Sequence, residues 1–165
     1  MSHSKLARGT ILTVSLCIVW KYIVVPAMES DIAFRETKKC EKNVKLISKA
    51  LLLYAEDWDT HLPKTGDWKQ QTETYDKTIS SSTYTCPSGD RRNSYAVNAN
   101  LFGKNLFEIE HIDNRVLVFE TDSNSPNAKG SRNDLPNIPR HNGRDVYGIV
   151  TGNTKVIGRS NNLDW

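Results

Sequence analysis

The sequence predicts an α+β fold in which one long amino-terminal helix packs on a small antiparallel sheet. Three observations predict it. An apolar run from Thr10 to Met28 passes without a linker into a charged segment; apolar residues recur at alternating steps of four and three from Ala33 to Trp58; and several short β-type segments, separated by turn-forming residues, follow Ser94.

The nineteen residues from Thr10 to Met28 span roughly 28 Å as a helix at about 1.5 Å per residue, close to the hydrocarbon thickness of a bilayer. Residues 10–28 are therefore expected to cross the membrane once, after a cytoplasmic arm of residues 1–9. Lys21 and Tyr22 interrupt the run. A lysine near the centre of a span costs about 2.5–3.5 kcal/mol unless it snorkels or meets a partner, so Lys21 is expected to face one. A cleaved signal peptide is the rival reading, with Lys5 and Arg8 before the apolar stretch and Val25-Pro26-Ala27 as a small-residue exit. Basic residues flank the run on both sides, and we read the amino terminus as cytoplasmic.

Charge narrows the function classes. Every Asp and Glu lies beyond Met28, whereas Lys5, Arg8 and Lys21 lie before it, so the whole formal charge of +3 sits in the amino-terminal arm and the apolar run. The remainder is formally neutral. Nucleic-acid binding depends on clustered Lys and Arg, so no nucleic-acid partner is expected.

The stripe Ala33, Thr37, Cys40, Val44, Ile47, Leu51, Tyr54 and Trp58 marks a helix with one buried face, a stem over residues 29–62. Charged residues fill the remaining arc near its start, while Leu46, Ala50 and Leu53 widen the apolar face later on. The first half should be the more exposed and the second half should lie under the globular part, residues 63–165. Pro63 and Gly66 are expected to stop the helix after His61. Thr65 to Arg92 reads as a long loop with a short helix around Trp68 to Thr78. Trp58 and Trp68 read as core or helix-to-loop packing residues.

Strands are expected at Ser94 to Asn98, Val116 to Thr121, Val146 to Val150 and Thr154 to Ile157, with a short helix at Leu106 to Ile112. Thr151-Gly152-Asn153 should join the last two as a hairpin, because Gly and Asn tolerate positive φ. Asp122 to Arg140, rich in Asn, Ser and Pro, reads as an exposed loop.

Cys17 reads as a small apolar residue. Cys40 and Cys86 either pair, if their domain lies where disulfides persist, or remain two free thiols. A bond between them would close a loop of 46 residues and, by chain entropy, add about 4 kcal/mol at most. No CxxC or CxxCH occurs, which leaves a redox motif or covalent haem without support.

The sequence holds no active-site constellation. The four histidines are scattered, and HExxH, GxSxG, P-loop and GxGxxG patterns are absent. We expect no enzyme and no cofactor. His141, at the foot of the last hairpin, reads as a structural hydrogen-bonding group. Glu120, Asp122 and Asp134 are weak candidates for Ca²⁺, which needs six to eight oxygens. Trp165 is a weak candidate for a docking tip.

Several segments together resemble a known group. Ile23-Val24-Val25-Pro26-Ala27-Met28, the charged stem, Leu51 to Asp57 and then Leu62-Pro63 resemble the amino-terminal half of a major pseudopilin of type II secretion. Closer is a bacterial branch of pilin-like proteins whose stem reads Cys-x-x-Asn-x-Lys-x-Ile and whose tail carries a histidine, nine residues and Asp-Gly. Cys40-Glu41-Lys42-Asn43-Val44-Lys45-Leu46-Ile47 is similar to that stem. Cys86-Pro87-Ser88, Ser94 to Asn98, Val116 to Glu120 and Arg140-His141-Asn142-Gly143 follow in the same order.

The resemblance implies a pilin-like fold and a single-pass subunit of the bacterial inner membrane, with its carboxy-terminal domain periplasmic or extracellular. Its implied partners are other pilin-like subunits or membrane assembly proteins, and membrane lipid. Lys21 and Pro26 are the residues assigned to assembly, and His141, Thr151 and Gly152 those assigned to the tail motif. Two departures stand out. Ser4-Lys5-Leu6-Ala7-Arg8-Gly9 lacks the usual processing pattern and the Glu that follows it, and Thr151-Gly152 replaces Asp-Gly. They point to an unprocessed member of another membrane-anchored assembly, or to a tethered or secreted binding module that does not polymerise.

Overall fold

The computed structural model describes residues 18–64, 66–89, 94–159 and 162–165. The chain divides into two units, Met1–Arg35 and Glu36–Trp165.

In the first unit the described residues are helical. A π-helical turn, Trp20–Val24, leads into helix α1, Val25–Asp57, and Val25 N–H closes the turn onto Trp20 C=O. Pro26 accounts for the irregularity. It has no N–H to give to Tyr22, and its ring crowds the carbonyl four residues back, so a widened turn directly before it absorbs the conflict. Ile18, Trp20, Tyr22, Ile23, Met28, Ile32 and Phe34 are all more than half exposed. Among the described residues no helix is long and apolar enough to cross a membrane. Residues 1–17, including the first part of the expected span 10–28, lie outside the described residues.

In the second unit α1 buries one face. Cys40, Val44, Ile47, Leu51 and Ala55 are almost fully covered, as the alternating spacing predicts, and Asn43 and Ser48 join them. The helix ends at Asp57, short of the expected His61. Asp59 and Thr60 adopt left-handed φ of 49° and 63°, and Thr60 N–H caps Ala55 C=O at 2.8 Å. The early stop lets His61 bridge to Asn105, and Leu62 N–H reach Lys104 C=O at 3.0 Å. Tertiary pairing therefore overrides the local stop signals. Trp58 is exposed and stacks on Tyr54 with ring centres 5.5 Å apart, so only Trp68 of the two tryptophans is a core residue. Trp68 opens the short helix α2, Trp68–Thr72, and donates from Nε1 to Ala128 C=O at 3.1 Å. The expected helix at Leu106 to Ile112 is a single 3₁₀ turn, Leu106–Glu108.

The strands are β1, Tyr95–Asn98; β2, Val116–Glu120; β3, Lys129–Gly130; β4, Asp145–Ile149; and β5, Thr154–Ile157. They form one five-stranded sheet in the order β3-β1-β2-β4-β5. The sheet is mixed, which corrects the expectation of a wholly antiparallel one: β3 pairs parallel with β1 and every other pair is antiparallel. The physical reason lies in the segment expected to be a loop. Its Ala128 carbonyl accepts from both Val97 N–H and Trp68 Nε1, and Asn127 Oδ1 accepts from Lys69 N–H, so contacts distant in sequence draw two residues into the sheet edge.

Both faces of the sheet are covered. Val97, Leu117, Val118, Val146 and Val150 share a core with α1, while Ala96, Val116, Phe119, Tyr147 and Ile149 share a second core with Leu163 and Trp165. Neighbours Leu117 and Val118 both join the helix-side core because a bulge shifts the β2–β4 register between Val116 and Val118. Side chains alternate again beyond it, and the bulge therefore turns Glu120 to the helix side. Gly148 lies under α1 so closely that a Cβ there would stand 2.2 Å from Ser48 Oγ. The expected hairpin between β4 and β5 is present: Gly152 has φ of 81°, and its N–H reaches Ile149 C=O at 2.8 Å.

Candidate functional site

A buried cluster of four chemically capable side chains lies between α1 and the end of β2. Cys40 comes from the buried face of α1 and Cys86 from the loop after the 3₁₀ turn Ser81–Tyr84. Glu120 closes β2, and His141 stands four residues before β4. Cys40 and Cys86 form a disulfide across Cα atoms 5.2 Å apart, which resolves the two sequence readings in favour of the pair.

His141 Nε2 lies 2.9 Å from Glu120 Oε1 and 3.7 Å from Cys86 Sγ. One proton is therefore held between imidazole and carboxylate, against the edge of the disulfide. The other ring nitrogen, Nδ1, is 3.1 Å from Thr37 Oγ1 on α1, and the second carboxylate oxygen of Glu120 accepts from Val146 N–H at 2.8 Å. Both side chains of the His141–Glu120 pair are completely buried. Burial makes a lost partner costly here, because a carboxylate or imidazole without its hydrogen bond has no water to turn to.

The surroundings fix these groups in place. Asn43 donates from Nδ2 to Thr85 C=O at 3.0 Å, tying α1 to the residue before Cys86. Arg140, beside His141, donates to Thr121 C=O at 2.7 Å and to Asp122 Oδ1 at 2.8 Å, tying the loop before β4 to the end of β2. Tyr95 is buried nearby; desolvation first, and then the charge of Glu120, push its hydroxyl well above the usual phenol range.

The other sequence candidates have separate places. Of the three carboxylates weighed for Ca²⁺, Glu120 belongs to the buried cluster. Asp122 pairs with Arg140 and accepts from Asn137 N–H, while Asp134 caps the 3₁₀ turn Arg132–Asp134 by accepting from Ser131 N–H. Among the described residues the group of His, Cys, Asp and Glu side chains close enough to share an ion is Cys40, Cys86, Glu120 and His141. Lys21 Nζ lies over the Tyr22 ring at 5.8 Å, and Pro26 follows the π-helical turn. Thr151 and Gly152 form the hairpin turn, where Asn153 Nδ2 donates to Thr151 Oγ1. Trp165 packs edge-on against Phe119 and Tyr147, so it serves the second core.

Sequence reading missed the meeting of Glu120 and His141 with the disulfide. A signal was present, since Glu120 ends an otherwise apolar strand, Val-Leu-Val-Phe-Glu, where a carboxylate is buried only with partners. Compared with protein-family models, with curated proteins and with solved structures, the chain matches none of them.

Proposed function

We propose that this chain is a structural, pilin-like or pseudopilin-like subunit of a membrane-anchored envelope assembly or filament. One observation carries the reading. A single helix, α1, leaves Met28, Ile32 and Phe34 exposed in its first part and from Cys40 onward is built into the core of a sheet domain. Apolar side chains displayed on a helix call for lipid or for neighbouring helices, and helix association in lipid relies on close packing and polar contacts. An apolar trough on the domain's own part of α1, between Leu46, Leu52 and Leu53 and rimmed by Lys42, Lys45 and Lys49, supports lateral contacts as well. Catalysis is no part of this proposal.

Membrane fractionation of the native protein, followed by sizing in mild detergent, tests the reading. Membrane-bound species much larger than one chain are expected. Recovery in the soluble fraction would overturn it. The missing Glu and processing pattern around Ser4 to Gly9 favour one second reading, a tethered or secreted binding module that does not polymerise. Monomers in detergent would select that reading. Intact mass of the native chain then distinguishes a retained amino terminus from a removed one.

A further inference from the structure

We propose that, once its disulfide is reduced, the chain binds one divalent transition-metal ion of the Zn²⁺ type through Cys40 Sγ, Cys86 Sγ, His141 Nε2 and a Glu120 oxygen. The four side chains then alternate between a covalent state and a metal-held state.

Geometry comes first. One ligand atom from each of the four residues already lies within 4.8 Å of the other three. Tetrahedral Zn²⁺ with bonds of about 2.0–2.3 Å needs ligand atoms about 3.3–3.8 Å apart, so the set must contract by roughly 1 Å at its widest while the two sulfurs separate. All four residues are buried, so an ion held by all four would be closed to solvent, as in a structural site.

The outer hydrogen bonds suit metal binding. A metal on Nε2 requires the imidazole proton on Nδ1, where Thr37 Oγ1 at 3.1 Å accepts it. Val146 N–H already holds one oxygen of Glu120 and leaves the other facing the ring and the sulfurs. A disulfide alone needs none of this. A buried carboxylate and imidazole beside it impose a desolvation cost that the covalent bond does not require, whereas a cation gives both a purpose.

The chemistry balances with a dithiol as reductant. Its two thiols supply two electrons and two protons; the Cys40–Cys86 bond breaks, two cysteine thiols form, and the dithiol closes to its own disulfide. Zn²⁺ then displaces the two thiol protons to solvent. Metal binding at Nε2 leaves the ring's remaining proton on Nδ1, and Glu120 binds as carboxylate. The metal-held site carries one net negative charge, with the Arg140 guanidinium next in the chain to His141.

The full chain, reduced with dithiothreitol and desalted without air, is titrated with Co²⁺ as a spectroscopic substitute for Zn²⁺. One equivalent should bind with a thiolate-to-cobalt charge-transfer band and the intense d–d bands of tetrahedral coordination, and Zn²⁺ should bleach them. The oxidised chain should show neither. Glu120→Gln should weaken Co²⁺ binding by at least 10-fold, and Thr37→Val by on the order of 10-fold with the bands unchanged. If reduction alone unfolds the domain, added Zn²⁺ should restore its near-ultraviolet circular dichroism. Failure of the reduced chain both to bind Co²⁺ and to refold with Zn²⁺ would overturn the proposal. So would equal binding by oxidised and reduced chains, or by wild type and Glu120→Gln.

Discussion

The two faces of the sheet solve the same problem by different means. On the helix side, α1 lies so close that Gly148 has no room for a side chain, and a disulfide and a buried His141–Glu120 pair stand at one end. On the other side no long helix is present among the described residues; Leu163 and Trp165 fold back over Phe119 and Tyr147. The first face combines a covalent link, tight packing and buried polar chemistry, while the second is a small apolar lid. Stability should therefore concentrate on the helix side. Functional constraint should follow it there.

The largest break in this comparison comes from the disulfide. Replacing Cys40 and Cys86 together by Ala should lower stability by up to about 4 kcal/mol in denaturant titration, the loss expected for a loop of 46 residues. Gly148→Val comes next. Its added carbons meet Ser48 and Val44, and overpacking of this kind costs about 3 kcal/mol. Combining it with Ser48→Gly should recover part of the loss, and strict additivity in a double-mutant cycle would sink the close-approach account.

On the opposite face Leu163→Ala should cost about 2 kcal/mol, at the low end for a buried leucine because the site lies near the surface and can relax. An effect equal to that of Gly148→Val would erase the asymmetry. Alkaline pH sharpens the comparison further. Burial raises the hydroxyl pKa of Tyr84 and Tyr95 on the helix side and of Tyr147 on the other. These phenols stay protonated in the fold at pH values where the unfolded chain ionises. Stability is thus fully present below about pH 10 and falls as pH rises beyond it, by at most about 1.4 kcal/mol per pH unit for each tyrosine. Melting curves at pH 9 and 11 should show the drop, and Tyr95→Phe should lessen it. The smallest effect belongs to Ser48→Ala. Ser48 Oγ is buried without a hydrogen-bond partner among the described residues, so its removal should be neutral or slightly stabilising, within about 0.5 kcal/mol.

What the sequence disclosed follows local periodicity. The stripe Cys40, Val44, Ile47, Leu51 announced the buried face of α1, and Thr151-Gly152-Asn153 announced its hairpin, because both signals lie within a few residues. The edge strand Lys129–Gly130 gave no such signal: its place depends on Trp68 and Val97, more than thirty residues away along the chain. Trp58 misled for a related reason. It continued the stripe in phase, but the helix ends one residue before it. Glu120 was hidden by the β2 bulge. Strict alternation from Val116 would put Glu120 on the face opposite α1, and one extra residue in the register reverses that. Cysteine pairing was legible as one of two options, whereas the partners around it were not.

The link between Cys40 and Cys86 also bears on how breakage would be detected. A protease that nicks the irregular stretch between α2 and Cys86 leaves both pieces joined, so the cut protein keeps its full mass on a non-reducing gel and separates into fragments only after reduction. The crosslink thus acts as a clasp around a surface loop, and damage to that loop stays invisible until the clasp is opened.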